Sequence, residues 1–152
     1  MRPYRVACAL LLAPLAPAWG QQREPLPPEV ETVVTRGYWI TPDSVAGTYR
    51  VVIMTGGFEH RISELWVEWL AEPLDSDRSA RVLVSRRIED VDAGSVLLVD
   101  PVLRPEGERW ILTVDAVQTH CDPPLTTRWR LALGQPGKVR ILGSTVVRAG
   151  CT

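Results

Sequence analysis

The chain has 152 residues, 45% of them hydrophobic and 23% charged, and carries a net charge of −1. This length and composition favour one folded domain with short tails and exclude a disordered or fibrous chain. A charge so close to zero argues against a general nucleic-acid-binding protein, which shows a basic excess or stripe. Arg outnumbers Lys 16 to 1 and Asn is absent, a usage that indicates a bacterium with a GC-rich genome.

Residues 1–20 have the three-part pattern of a secretory signal peptide. A basic start with Arg2 and Arg5 precedes an apolar run over 6–16, and small residues at signal-peptidase spacing lead to Gly20. The apolar run is shorter than the roughly 20 residues that a membrane-spanning helix needs, and no second run of that length follows. We therefore expect cleavage near Gly20, a periplasmic or secreted protein, and no transmembrane segment in the mature chain.

Two features follow from that cleavage. It removes Cys8 and leaves Cys121 and Cys151, which in an exported chain indicate one disulfide bond. The segment 21–29 then begins the mature chain, and its three prolines predict an extended tether of polyproline character.

Residues 30–152 show the alternation of apolar and polar residues that is typical of β-strands, punctuated by turns. The predicted strands are Thr48–Thr55, Ala80–Glu89, Ser95–Leu103, Arg109–Thr119, Leu125–Leu133 and Lys138–Arg148, with a weaker one at Val30–Ile40. Seven or eight antiparallel strands in a single domain predict an all-β, two-sheet sandwich of immunoglobulin-like type, with a small barrel as the alternative. The Cys–Trp–Cys arrangement of immunoglobulin domains is missing, and no other family signature is apparent.

The segment Arg61–Glu72 fits two structures. Its apolar residues fall at helical spacing, but the same residues also alternate as they would in a strand. We favour the strand, because the neighbouring segments are strands and the polar stretch Pro73–Ser79 suits a hairpin loop.

The two histidines stand beside carboxylates near strand ends. His60 follows Glu59, and His120 precedes Cys121 and Asp122. Two imidazoles with a carboxylate or thiolate can bind zinc or copper, but the spacing matches no metal motif. We expect surface or structural histidines and no cofactor, and we keep a metal-binding protein or metalloenzyme using His60 and His120 as the alternative.

Two groups of charged residues have plain structural interpretations. The acidic stretch Glu89–Gly94 contains a fragment of a calcium loop but lacks the distal glutamate, so it predicts a solvated hairpin turn. Arg86 and Arg87, and likewise Arg128 and Arg130, are expected to make cross-strand ion pairs.

Aromatic residues supply the candidate binding site. Trp69, Trp110 and Trp129 fall on apolar strand faces and predict core positions, whereas Trp66 lies between two glutamates on the polar face. An exposed Trp can stack on a sugar ring or anchor a partner, and Tyr38 and Trp39 at a strand end offer a second such place.

No nucleophile motif or phosphate-binding glycine loop is present in the sequence. The features together predict a non-enzymatic exported protein that binds an envelope protein or a small ligand. A purely structural envelope component fits the same sequence.

Overall fold

The computed structural model describes residues 27, 29–57, 61–73, 80–93, 96–120 and 122–150. The predicted signal peptide, nearly all of the tether and both cysteines of the predicted disulfide lie outside the described residues. In the described part of the chain, no helix is long and apolar enough to span a membrane.

The fold consists of two four-stranded antiparallel sheets. Sheet A contains β1 (Val30–Ile40), β2 (Ala46–Gly56), β3 (Ile62–Ala71) and β4 (Arg81–Arg87). Sheet B contains β5 (Leu97–Glu106), β6 (Arg109–Gln118), β7 (Leu125–Leu133) and β8 (Val139–Arg148). The predicted two-sheet sandwich is confirmed, and the barrel alternative is excluded because the two sheets do not close on each other.

Strand order follows chain order in both sheets, so each sheet is a meander. The resemblance to immunoglobulin domains is therefore one of architecture, since their Greek-key connections are not seen among the described strands. Consecutive pairing is the arrangement that short hairpin loops favour.

The link between the sheets is a short helix, α1 (Glu89–Asp92). The predicted solvated hairpin turn is wrong here, because β4 and β5 belong to different sheets. Asp92 is buried and accepts hydrogen bonds from the Arg87 side chain (3.0 Å) and the Leu65 amide (3.4 Å). Burial of a carboxylate needs such partners, so this aspartate fastens the connection to sheet A.

The core fills the space between the sheets. Alternate residues of β2 and β3 point inward and are buried, as the period of two requires. Sheet B supplies the opposing side chains from β5, β6 and β7. The fully buried members with the largest side chains are Trp69, Ile53, Leu65, Leu103, Leu112 and Leu131. Each such aliphatic side chain contributes about 1.5–3 kcal/mol of hydrophobic free energy.

The ambiguous segment 61–72 forms strand β3, as favoured from its neighbours. It pairs with β2 along its whole length and with β4 on its other side. Trp69 is completely buried in this register, whereas Trp66 points to the outer face opposite Val52 and Arg87.

The arginine pairs largely behave as predicted. Arg87 contacts Glu64 at 2.8 Å, Arg128 contacts Asp115 at 2.7 Å, and Arg130 contacts Glu106 at 2.6 Å. The hydrogen bonds to their aspartates raise the pKa of Arg87 and of Arg128. Arg86 differs, because it donates a hydrogen bond to the backbone carbonyl of Gly137 and makes no ion pair with a described carboxylate.

Register shifts occur only where an edge strand is involved. The inner pairs β2–β3 and β6–β7 are regular throughout, while each of the other pairs contains at least one β-bulge. Bulges twist an edge strand and make it a poor template for further pairing.

Candidate ligand-binding cleft

A cleft of about 380 Å³ opens at one end of the sandwich. The end of β1, the β5–β6 turn and the β7–β8 turn form its walls. Four aromatic residues line this space, which we term the aromatic cleft: Tyr38, Trp39, Tyr49 and Trp110. Concave sites of this size that combine apolar walls with polar groups are typical of ligand-binding pockets.

A bulge in β1 orients the first two of these side chains. Arg36 pairs with Tyr49 and Trp39 pairs with Gly47, so Gly37 and Tyr38 together oppose one residue of β2. Gly37 has a φ of +78°, a conformation that suits glycine. Because one extra residue reverses the alternation of a strand, Trp39 turns inward and Tyr38 outward.

The inward turn buries Trp39, which is 3% exposed. The expectation that its ring is exposed is therefore wrong, and the bulge is the physical reason. The Trp39 indole packs against Gly47, so closely that a Cβ at that position would lie 2.6 Å from the ring. Its Nε1 donates to the carbonyl of Thr48 at 3.0 Å. Trp39 thus contributes a wall of the cleft from a core position.

Tyr38 is the accessible aromatic residue of the cleft. Its side chain is 67% exposed and meets the half-buried Trp110 edge to face, with ring centroids 6.5 Å apart. A Cβ on Gly37 would lie 2.7 Å from the Trp110 ring, so the glycine allows that ring to pack against the β1 backbone. Tyr38 and Trp110 together form an aromatic surface, and the packing of Trp110 against the β1 backbone holds that surface in place.

The floor of the cleft is fixed by hydrogen bonds between the two sheets. The carbonyl of Gly134 in the β7–β8 turn accepts from the Tyr49 hydroxyl at 3.1 Å and from Trp69 Nε1 at 2.9 Å. Burial raises the pKa of Tyr49 to about 12, so its hydroxyl stays protonated and donates over the physiological range. These two hydrogen bonds anchor the β7–β8 turn to sheet A.

Polar side chains complete the lining. Glu108 and Arg109 come from the β5–β6 turn region, and Gln135 comes from the β7–β8 turn. All three are exposed, and together they offer hydrogen-bond acceptors and donors around the aromatic surface.

Trp66 lies apart from this cleft. It is half-buried on the outer face of sheet A, and its Nε1 donates to Glu64 at 3.0 Å. Of the three aromatic residues predicted to contact a partner, the structure brings Tyr38 and Trp39 into one cleft and leaves Trp66 outside it.

The residues of the alternative metal site are only partly described. Glu59, His60 and Cys121 lie outside the described residues, while His120 and Asp122 are exposed beyond the end of β6. That end is opposite to the one where Arg109 begins the strand and lines the cleft. Within the described ranges, no group of three or more potential ligands could hold a metal ion.

Sequence reasoning missed Tyr49, Trp110, Arg109 and Gln135 as cleft residues. Tyr49 and Trp110 share the alternation of core positions, and their role depends on being at the end of the sandwich. Their position in the sequence could have indicated this role, since Trp110 and Gln135 each lie within two residues of a glycine-containing turn, and turns lie at the ends of a sandwich.

Comparisons with protein-family models, curated proteins and solved structures find no match for this chain. The site must therefore be interpreted from its own geometry.

Proposed function

We propose that the protein is an exported, non-enzymatic binding protein whose aromatic cleft binds a saccharide. The export part rests on the signal-peptide pattern of residues 1–20. The observation that carries the binding part is the Tyr38–Trp110 pair, an accessible aromatic surface at the mouth of a cavity of about 380 Å³.

The chemistry of the lining favours a saccharide over a purely apolar ligand. A sugar ring presents C–H groups on its faces, which pack on aromatic rings, and hydroxyl groups around its edge. The hydroxyls need both donors and acceptors, and Glu108, Arg109 and Gln135 supply both around the aromatic surface. The cavity has the volume of a small-ligand site rather than the extended area of a protein interface.

Screening of the mature protein on a glycan array, followed by titration calorimetry, tests this proposal. We expect micromolar to millimolar binding of at least one glycan, with quenching or a shift of tryptophan fluorescence from Trp110. Tyr38→Ala should weaken that binding at least tenfold while changing the free energy of unfolding by less than about 0.5 kcal/mol, because its side chain is mostly exposed.

Trp66→Ala is the matched control, since it removes an aromatic side chain from outside the cleft. Its glycan affinity should equal that of the unmodified protein. Absence of binding to any glycan, or equal affinity in Tyr38→Ala, would contradict the proposal. The mass of the protein recovered from the periplasm tests export, with a chain that begins near Gln21 as the expected result.

A further inference from the structure

A second cavity, of about 320 Å³, adjoins the aromatic cleft, and its lining combines apolar residues with four cationic side chains. The four cations come from β4, from the start of β6, from the β7–β8 turn and from β8. We term this cavity the basic pocket and define it by Arg86, Arg109, Lys138 and Arg140.

The positive charge of the basic pocket is not balanced by a described carboxylate. Among the described residues, no acidic side chain lines the pocket, and none of its four cations makes an ion pair with another of them. Elsewhere on the same sheets, Arg87, Arg128 and Arg130 each contact a carboxylate.

Unpaired like charges that converge on one cavity create a positive potential that attracts anions. Part of the pocket is also held in place before any ligand arrives. Arg86 Nη1 donates to the Gly137 carbonyl at 2.9 Å, which ties β4 to the β7–β8 turn. The backbone of Lys138 both accepts from the Gly134 amide (2.9 Å) and donates to the Gln135 carbonyl (2.8 Å), which fixes the lysine position.

The two cavities are adjacent. Arg109, Leu133 and Gly134 line both of them, so a ligand that extends past these three residues can contact both cavities. Glu108 lies on the cleft side, where hydroxyl groups need an acceptor, and the charged side chains that line the pocket side are all cationic.

We infer that the basic pocket binds the anionic group of an acidic saccharide whose ring packs in the aromatic cleft. The group is a carboxylate, sulfate or phosphate, because each accepts charge-assisted hydrogen bonds from arginine and lysine. This inference rests on the proposed function and adds the charge class of the ligand to it.

Matched pairs of oligosaccharides test the inference by titration calorimetry. Suitable pairs are tetragalacturonate with its neutral methyl ester, chitotetraose with its O-sulfated form, and maltotetraose with a phosphorylated form. We expect at least one acidic member to bind ten times more tightly than its neutral partner, with an affinity that falls as salt is added. Equal affinity of both members in every pair would overturn the inference and leave the proposed function intact.

Substitutions then locate the anion. Lys138→Gln combined with Arg140→Gln should lower the affinity for the acidic member by roughly tenfold or more and bring it toward that of the neutral member. Both side chains are exposed, so the fold should be unaffected.

The matched control combines Arg81→Gln with Arg148→Gln, which removes two exposed arginines from β4 and β8. Arg148 lies eight residues beyond Arg140, about 26 Å along the strand.

Equal losses in both double variants would overturn the inference, since the effect would then be one of net charge. Inositol hexakisphosphate, a polyanion without a sugar ring, distinguishes failure of the proposed saccharide binding from failure of the anion site. If it binds and the Lys138/Arg140 variant loses it while no saccharide binds, the anion site stands and the proposed saccharide function fails. If it does not bind and no acidic saccharide is preferred, the basic pocket is not an anion site.

Discussion

The inner strand pairs of this protein differ from the edge pairs in regularity and in what they contribute. Strands β2–β3 and β6–β7 keep one register throughout and supply most of the fully buried side chains. Strands β1, β4, β5 and β8 contain or adjoin all the register shifts. Both cavities are lined mainly by edge strands and turns, with the tyrosine of β2, the first residues of β6 and the last residues of β7 as exceptions.

This difference has a physical cause. An inner strand must satisfy backbone hydrogen bonds on both sides, so an inserted residue disrupts two ladders, whereas an edge strand disrupts one. Bulges therefore collect at the edges, where they can redirect a side chain without loss of the core. The Gly37–Tyr38 bulge does this, because it places Tyr38 at the cleft mouth and the next residue, Trp39, in the core.

The largest expected effect comes from the inner strand β3. Trp69→Ala removes a completely buried ring and its hydrogen bond to Gly134, and it should lower the free energy of unfolding by about 3–5 kcal/mol. Trp66→Ala changes the same residue type three positions earlier, on the half-buried outer face, and should cost about 1–2 kcal/mol. Urea denaturation of both variants measures the difference, and equal losses would contradict the assignment of core and outer faces.

A smaller effect is expected at the edge. Gly37→Ala forces an alanine into a positive φ and moves it against Trp110, so it should cost about 2–4 kcal/mol and weaken glycan binding. Gly107→Ala is the matched control, because its φ is +61° but no atom lies within 4 Å of the new Cβ. That variant should lose only about 1–2 kcal/mol, from backbone strain alone. Similar losses in the two variants would mean that contact with Trp110 is unimportant.

The smallest effect concerns the hydrogen bond that joins the sheets below the cleft. Burial raises the pKa of Tyr49 from 10.0 to about 12, so the folded state retains a proton that the unfolded state loses between these values. The resulting stability is fully present below pH 10 and is lost as the pH rises toward 12, by roughly 1–3 kcal/mol.

Tyr49→Phe isolates this titration. The variant should be about 1 kcal/mol less stable at pH 7, because the hydroxyl bond to Gly134 is missing, while the Trp69 bond to the same carbonyl remains. Its loss of stability between pH 10 and 12 should be smaller than that of the unmodified protein. Parallel alkaline melting curves would show that Tyr49 does not control this pH range.

The site residues could be predicted from the sequence where the strands are regular, and less well at the bulged edge strands and turns. Tyr38 was predicted from its exposed position at a strand end, and the burial of Trp69 was predicted from alternation. Trp39 was predicted on the wrong side, since alternation along β1 holds only until the bulge at Gly37. Arg86 was predicted to make an ion pair and instead holds the β7–β8 turn.

The sequence by itself determined the strands and, except beyond the bulge in β1, the faces they bury. Alternation is a local property, set by the period of two and by the free energy of hydrophobic burial, so it can be detected in a window of a few residues. Only the tertiary structure decided that the end of β1 meets the turns of sheet B and that the basic side chains of four elements converge. Those contacts join residues as far apart in the chain as Tyr38 and Gln135, and they depend on how one sheet packs on the other, which no local pattern records.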